Sequence, residues 1–169
     1  MFLAVRSCKH CSKLVMRKID KKELGKMSDT HVEKIKNSLL GIAPETFSRH
    51  PVLFAYLYGS YATGIVHPFS DLDIGIYIEK VPVKKHLELE LSLSLEVDAN
   101  METRVATEVR IINNLPLVIL GTIITEGALI YSRDENTRVD FETSVRSAYF
   151  DFLPVLQRCQ RFYIDSVVG

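Results

Sequence analysis

"LYGSYATGIVHPFSDLDIGIYI", from Leu57 to Ile78, places Asp71 and Asp73 two residues apart in a stretch otherwise composed for burial. The run Leu72, Ile74, Ile76, Ile78 predicts a strand from Asp71 to Ile78. Side chains at i and i+2 on a strand share a face. Both carboxylates therefore point one way, their roots about 6 to 7 Å apart, while Leu72 and Ile74 point into the core. Two ionised carboxylates this close repel unless a cation or a proton lies between them, and hard oxygen donors suit Mg²⁺.

Just upstream, Val52 to Tyr58 is a continuous apolar and aromatic run of strand length, closed by Gly59-Ser60. A glycine there lets the backbone turn sharply and approach a ligand, and a helical turn over Ser60 to Gly64 aims its free N–H groups outward. Ser60 suits both a helix cap and a phosphate contact, since both use the same helix end. A phosphate cradle beside a di-carboxylate metal site is the minimum apparatus for phosphoryl or nucleotidyl transfer.

The rest of the chain sets the frame for that site. At 169 residues with 47% hydrophobic content it has room for one compact domain with a real core. Lys+Arg and Asp+Glu balance at 21 each, so no global field draws it to nucleic acid, and direct nucleic-acid binding is not expected. Cys8, Cys11 and Cys159 make no disulfide framework, which fits a reducing cytoplasm. No apolar run has the length of a membrane span, and the start lacks a signal peptide's apolar core. Residues 1–26 read as a basic N-terminal extension, and Met27-Ser28-Asp29 as a helix start and an alternative initiation site. Residues 27–169 read as a single domain.

Along that domain, Val32, Ile35, Leu39 and Leu40 predict a helix ending near Gly41, with a further helical turn at Pro44 to Thr46. Leu87, Leu91 and Leu95 favour a helix from Lys84 to about Val97, although Leu89 to Leu95 also alternates like a strand. Thr107 to Ile112 returns to β character, Pro116 opens a helix through Ile124, and Ala128 to Ser132 is a short strand. A long final helix runs from Glu135 to Val167, with Phe141, Val145, Tyr149, Phe152, Leu156 and Phe162 on one side and a kink or break at Pro154. Helices and strands alternate throughout, the pattern of an α/β or α+β fold.

Gly59-Ser60, ten intervening residues and Asp71-x-Asp73, each half preceded by an apolar strand, resemble the signature of the DNA polymerase β-like nucleotidyltransferase superfamily. More narrowly, the stretch is similar to the minimal nucleotidyltransferases, the MNT proteins that accompany HEPN-domain partners and include MntA-type antitoxins. "EVRIINNLP" places Glu108, Asn113 and Pro116 where that group has a third carboxylate, an Asn and a helix-starting Pro. The closing segment, with Tyr149, Asp151 and Pro154, extends the likeness from Met27 to the C-terminus. Glu108 stands where Asp is usual, and Thr63 where many relatives have Arg.

The resemblance implies an α+β fold, a small mixed sheet flanked by helices. It implies that Asp71, Asp73 and Glu108 hold one or two Mg²⁺ ions, with Glu108 alternatively the base that helps deprotonate the attacking hydroxyl. Gly59 and Ser60 would bind the triphosphate of a nucleotide, ATP. In MntA-like members the acceptor is a hydroxyl, typically a tyrosine, on a partner HEPN toxin, which adenylylation silences. The closing helix lacks the Arg/His motif of HEPN ribonucleases, so the chain reads as the antitoxin half of a hetero-oligomer. The alternatives are a non-catalytic antitoxin that masks its partner and a transferase acting on a small molecule.

Other residues carry less. Cys8-Lys9-His10-Cys11 is half a zinc knuckle with no second pair at suitable spacing, so a terminal segment is the better reading. His67, inside the motif loop, could touch a phosphate or the acceptor. His31, His50 and His86 read as surface residues, and Lys84-Lys85 as a solvated face.

Overall fold

The computed structural model describes residues 29–168 apart from 68 and 104. The expected extension over 1–26 and its Cys-Lys-His-Cys stretch lie outside the described residues. Four strands, β1 (Val52–Tyr58), β2 (Leu72–Ile78), β3 (Thr107–Ile111) and β4 (Ala128–Ser132), form one sheet in the order β3-β2-β1-β4. β1 pairs antiparallel with β2 and β4, whereas β2 and β3 run parallel. The sheet is thus mixed and flanked by helices, an α+β fold.

β1 lies inside the sheet, and its alternate side chains feed two separate cores. Phe54, Tyr56 and Tyr58 face Ile112, Leu120, Ile123 and Val145. Ala55 and Leu57 join the larger cluster with Ile35, Leu39, Ile74 and Leu93 on the opposite face. A strand buried on both faces needs apolar residues at every position, which is why this run does not alternate.

Helix α1 (Asp29–Ser48) outruns its expected end near Gly41 and absorbs the separate turn expected at Pro44. Ala43 and Phe47 extend the stripe of Val32, Ile35 and Leu39 at four-residue spacing, and both are fully buried. That burial offsets the bond that Pro44 cannot donate to the carbonyl of Leu40.

Helix α3 (His86–Asn100) settles the ambiguous segment as helix but turns its leucines the unexpected way. Leu93 and Val97 are buried and Leu89 packs against them, whereas Leu87, Leu91 and Leu95 are 65%, 56% and 70% exposed. The cause is a third row on the same helix. The backbone N–H groups of Thr107, Val109 and Ile111 donate to Asp98 Oδ1 (3.0 Å), Ser94 Oγ (3.1 Å) and Glu90 Oε1 (2.8 Å). Four helical residues advance about 6 Å and two strand residues about 6.6 Å, so the two rows stay in step. β3 is an edge strand whose outward N–H groups would otherwise lack partners. Satisfying them fixes the rotation of α3 and leaves the Leu87 row in solvent.

Asn113 extends the pairing of β2 beyond the end of β3, its side chain accepting from Ile78 N–H at 3.0 Å and donating to Ile78 C=O at 2.8 Å. Helix α4 (Leu117–Glu126), with Pro116 as its N-cap, meets the final helix at Gly121. A Cβ there would lie 2.1 Å from the Tyr149 ring, so only glycine admits this contact.

Helix α5 (Glu135–Val168) runs through Pro154, so of the expected kink or break no break occurs there. Phe141 and Val145 reach the core, and Arg138 and Tyr56 both bond Glu142, tying the helix to β1. Beyond Tyr149 the expected stripe is not buried: Phe152 and Phe162 are exposed. Among the described residues no helix is long and apolar enough to cross a membrane.

Candidate active site

At the end of β1 the chain turns through Gly59 at φ 72° into the short helix α2 (Gly59–Thr63), which closes at Gly64 with φ 73°. A Cβ on Gly59 would stand 2.2 Å from Asp73 Oδ2, so this carboxylate lies directly against the glycine's α-carbon. Gly59 is therefore required twice, by its left-handed backbone and by the close approach. The antiparallel register sets Tyr58 opposite Asp73 and brings the two halves of the sequence motif together.

Among the described residues no side chain caps α2, whose N-cap position is Tyr58. Ser60, read as a residue that could cap, is instead the second residue of the helix. Thr63 Oγ1 donates back to Gly59 C=O at 3.1 Å, a local bond within the helix.

Asp71 is exposed immediately before β2, whose first N–H, that of Leu72, donates to Ala106 C=O at 2.8 Å. The preceding loop is pinned by two bonds, Ser70 N–H to His67 C=O at 2.9 Å and His67 N–H to Ser70 Oγ at 3.0 Å. His67 Nδ1 is buried with no hydrogen-bond partner among the described residues.

The parallel register of β2 and β3 pairs Asp73 with Glu108, on strands about 4.8 Å apart and on one face of the sheet. Glu108 is exposed and its carboxylate binds the guanidinium of Arg110, two residues on along the same face. That bond, with the charges of Glu108 and Glu90, raises the pKa of Arg110. Tyr58 is buried beside the acids; desolvation and then the charge of Asp73 push its hydroxyl up to about 12, so it stays protonated as a donor.

Gly59, Asp73 and Glu108 thus meet at one end of the sheet, with Ser60 opening the adjoining helix and Asp71 at its outer margin. Among the described residues no three His, Cys, Asp or Glu side chains are gathered closely enough to hold an ion. The donor set still fits Mg²⁺ in kind, being all carboxylate oxygen, and Arg110 supplies positive charge at Glu108. Sequence reasoning missed Tyr58 and Arg110. The signal for Arg110 was available: it shares its strand face with Glu108 by the same two-residue rule that pairs Asp71 with Asp73.

At this end of the sheet, then, Asp73 stands against a glycine turn at the start of a helix, with Glu108 in register beside it. The chain belongs to the polymerase beta nucleotidyltransferase family, whose model matches residues 43–136, more than half of the sequence. Comparison with curated proteins finds no match. Solved structures share the fold, among them the following three. A chain of a toxin–antitoxin structure with AMP-PNP is 20% identical, with TM-score 0.52 over 79% of this chain and 98% of that one. A chain from the complex of tri-AMPylated Shewanella oneidensis HEPN toxin with MNT antitoxin is 17% identical, with TM-score 0.52 over 79% of this chain and 99% of that one. A chain of an MntA–HepT toxin–antitoxin structure is 17% identical, with TM-score 0.51 over the same shares.

Proposed function

We propose that this nucleotidyltransferase is an MNT-type antitoxin that transfers AMP from ATP to a hydroxyl, a tyrosine's, on a partner HEPN-domain toxin, with Mg²⁺, in the cytoplasm. The observation that carries the reading is the seating of Asp73 on Gly59 with Glu108 in register beside it. That contact joins the Gly-Ser and acidic halves of the motif in one place.

Asp71 and Asp73 would hold Mg²⁺, with Glu108 beside them as the base rather than a third ligand. When bound, the ion would neutralise phosphate oxygens and lower the pKa of the attacking hydroxyl. Ser60 and the first N–H groups of α2 would bind the triphosphate, aligning its α-phosphorus with the acceptor. Glu108 would take the acceptor's proton once Arg110 turns to the incoming phosphates. The acceptor oxygen bonds to the α-phosphorus, the bond to the β-phosphate oxygen breaks, and pyrophosphate leaves. Residues 27–169 would suffice as the working domain.

The test is to incubate the protein with its HEPN partner, ATP and Mg²⁺ and weigh both chains by mass spectrometry. AMP should appear on the partner and should be absent with Asp71→Asn/Asp73→Asn; an unmodified partner would overturn the reading. One observation favours a second reading, a masking antitoxin without turnover: the three acids are not gathered, and Arg110 binds Glu108. A masking protein would protect cells equally well with both aspartates replaced.

A further inference from the structure

Beside the candidate site, a groove of about 530 Å³ runs between α3 and the outer edge of β3, and Glu108 and Arg110 form part of its lining. Leu87 and Leu91 line it from the helix, and Leu95 continues their row. The register of the two elements fixes how the row relates to the chemistry. Asp98 bonds the first residue of β3 and Ser94 the third, so Leu95 lies at the level of Glu108 and Leu91 nearer that of Arg110. The apolar row therefore leads along the strand to the acid proposed to receive the acceptor's proton.

Resting on the reading of a protein acceptor, we propose that this groove docks the acceptor and that its occupant there is a basic amphipathic helix. Three features choose that occupant. A strand could not extend the sheet, because the outward N–H groups of Thr107, Val109 and Ile111 already donate to α3. Leucines at every fourth position match the anchors of a helix laid alongside. From His86 to Asn100 the helix carries no Lys or Arg, and apart from Glu96, which pairs with Arg49 and His50, its acids Glu88, Glu90 and Asp98 lie beside the apolar stripe, so a complementary partner flanks it with cations. A second copy presenting this same acidic row would set like charges against each other.

The test uses the full chain carrying Leu87→Ser, Leu91→Ser and Leu95→Ser, three exposed positions whose change should leave the unfolding temperature unaltered. Two probes are used: the HEPN partner, and a fluorescein-labelled helical peptide with leucine at every fourth position flanked by lysine. Binding of the lysine peptide should fall at least about tenfold in the variant, and a glutamate-flanked peptide should bind neither form. Transfer to the HEPN partner should lose at least about tenfold in kcat/KM through KM, with affinity for Mg·ATP unchanged. Unaltered peptide binding and KM would overturn the proposal. So would a photo-crosslinker at position 91 that captures only residues 1–28 or a second copy of the chain. If the wild type transfers no AMP at all, the proposed function fails while peptide binding still decides the docking surface.

Discussion

At Gly59 two demands coincide in one residue. Its φ of 72° costs an ordinary side chain roughly 1 to 3 kcal/mol, and any Cβ collides with Asp73 Oδ2. Gly59→Ala should lower stability by about that amount in urea unfolding. It should also lower AMP transfer by about 100-fold, because the carboxylate must move by the order of an ångström. Tyr58 gives a pH signature. Its ordinary value near 10 is pushed up to about 12 by burial and then by Asp73. Above pH 10 the unfolded chain releases this proton while the folded chain keeps it, so stability is complete below 10 and drains away towards 12. Tyr58→Phe should remove that alkaline loss, on the order of a few kcal/mol, seen by comparing urea unfolding at pH 8 and near 12. The face taken by Asp73 was legible because a two-residue period on a strand fixes it, whereas Asp71, expected on the same strand, lies just before its first residue. The pairing of Glu108 with Arg110 was not, since it depends on how two charged side chains fold over one exposed edge.

Among the elements, α3 shows what periodicity can and cannot say. Its four-residue leucine spacing identifies a helix, but three rows of that spacing exist side by side, Leu89/Leu93/Val97, Glu90/Ser94/Asp98 and Leu87/Leu91/Leu95. Which row faces inward is decided by the unpaired N–H groups of β3, a long-range fact that no local window contains. Leu93→Ala should cost about 2 to 5 kcal/mol, whereas Leu91→Ala should stay within about 0.5, measured by chemical denaturation. α1 teaches the converse. A proline and a glycine read as punctuation were overridden because Ala43 and Phe47 continue the buried stripe. In α5 the period persists beyond Tyr149, yet among the described residues no neighbouring element covers Phe152 or Phe162, so the same spacing there leaves an exposed face.

For the whole molecule, the order and sense of the strands do most of the functional work. Only because β2 and β3 run parallel does Glu108 fall beside Asp73, and only because β1 and β2 run antiparallel does the Gly59 turn meet the same carboxylate. The alternation of elements pointed to an α/β or α+β fold and the family resemblance to a mixed sheet flanked by helices, but sheet order was beyond both. The three acceptors of α3 along β3 also have a meaning for the protein's life in solution. An open strand edge is a template for endless stacking of like molecules, and here one rim of the sheet is sealed by Glu90, Ser94 and Asp98. Replacing all three with alanine should turn a stable stock into one that scatters light and seeds thioflavin-positive aggregates on gentle warming, before the core melts. An unchanged aggregation onset would show that the rim is guarded by something else. The helix that borders the chemistry is, on this account, also what keeps the molecule from polymerising with its own kind.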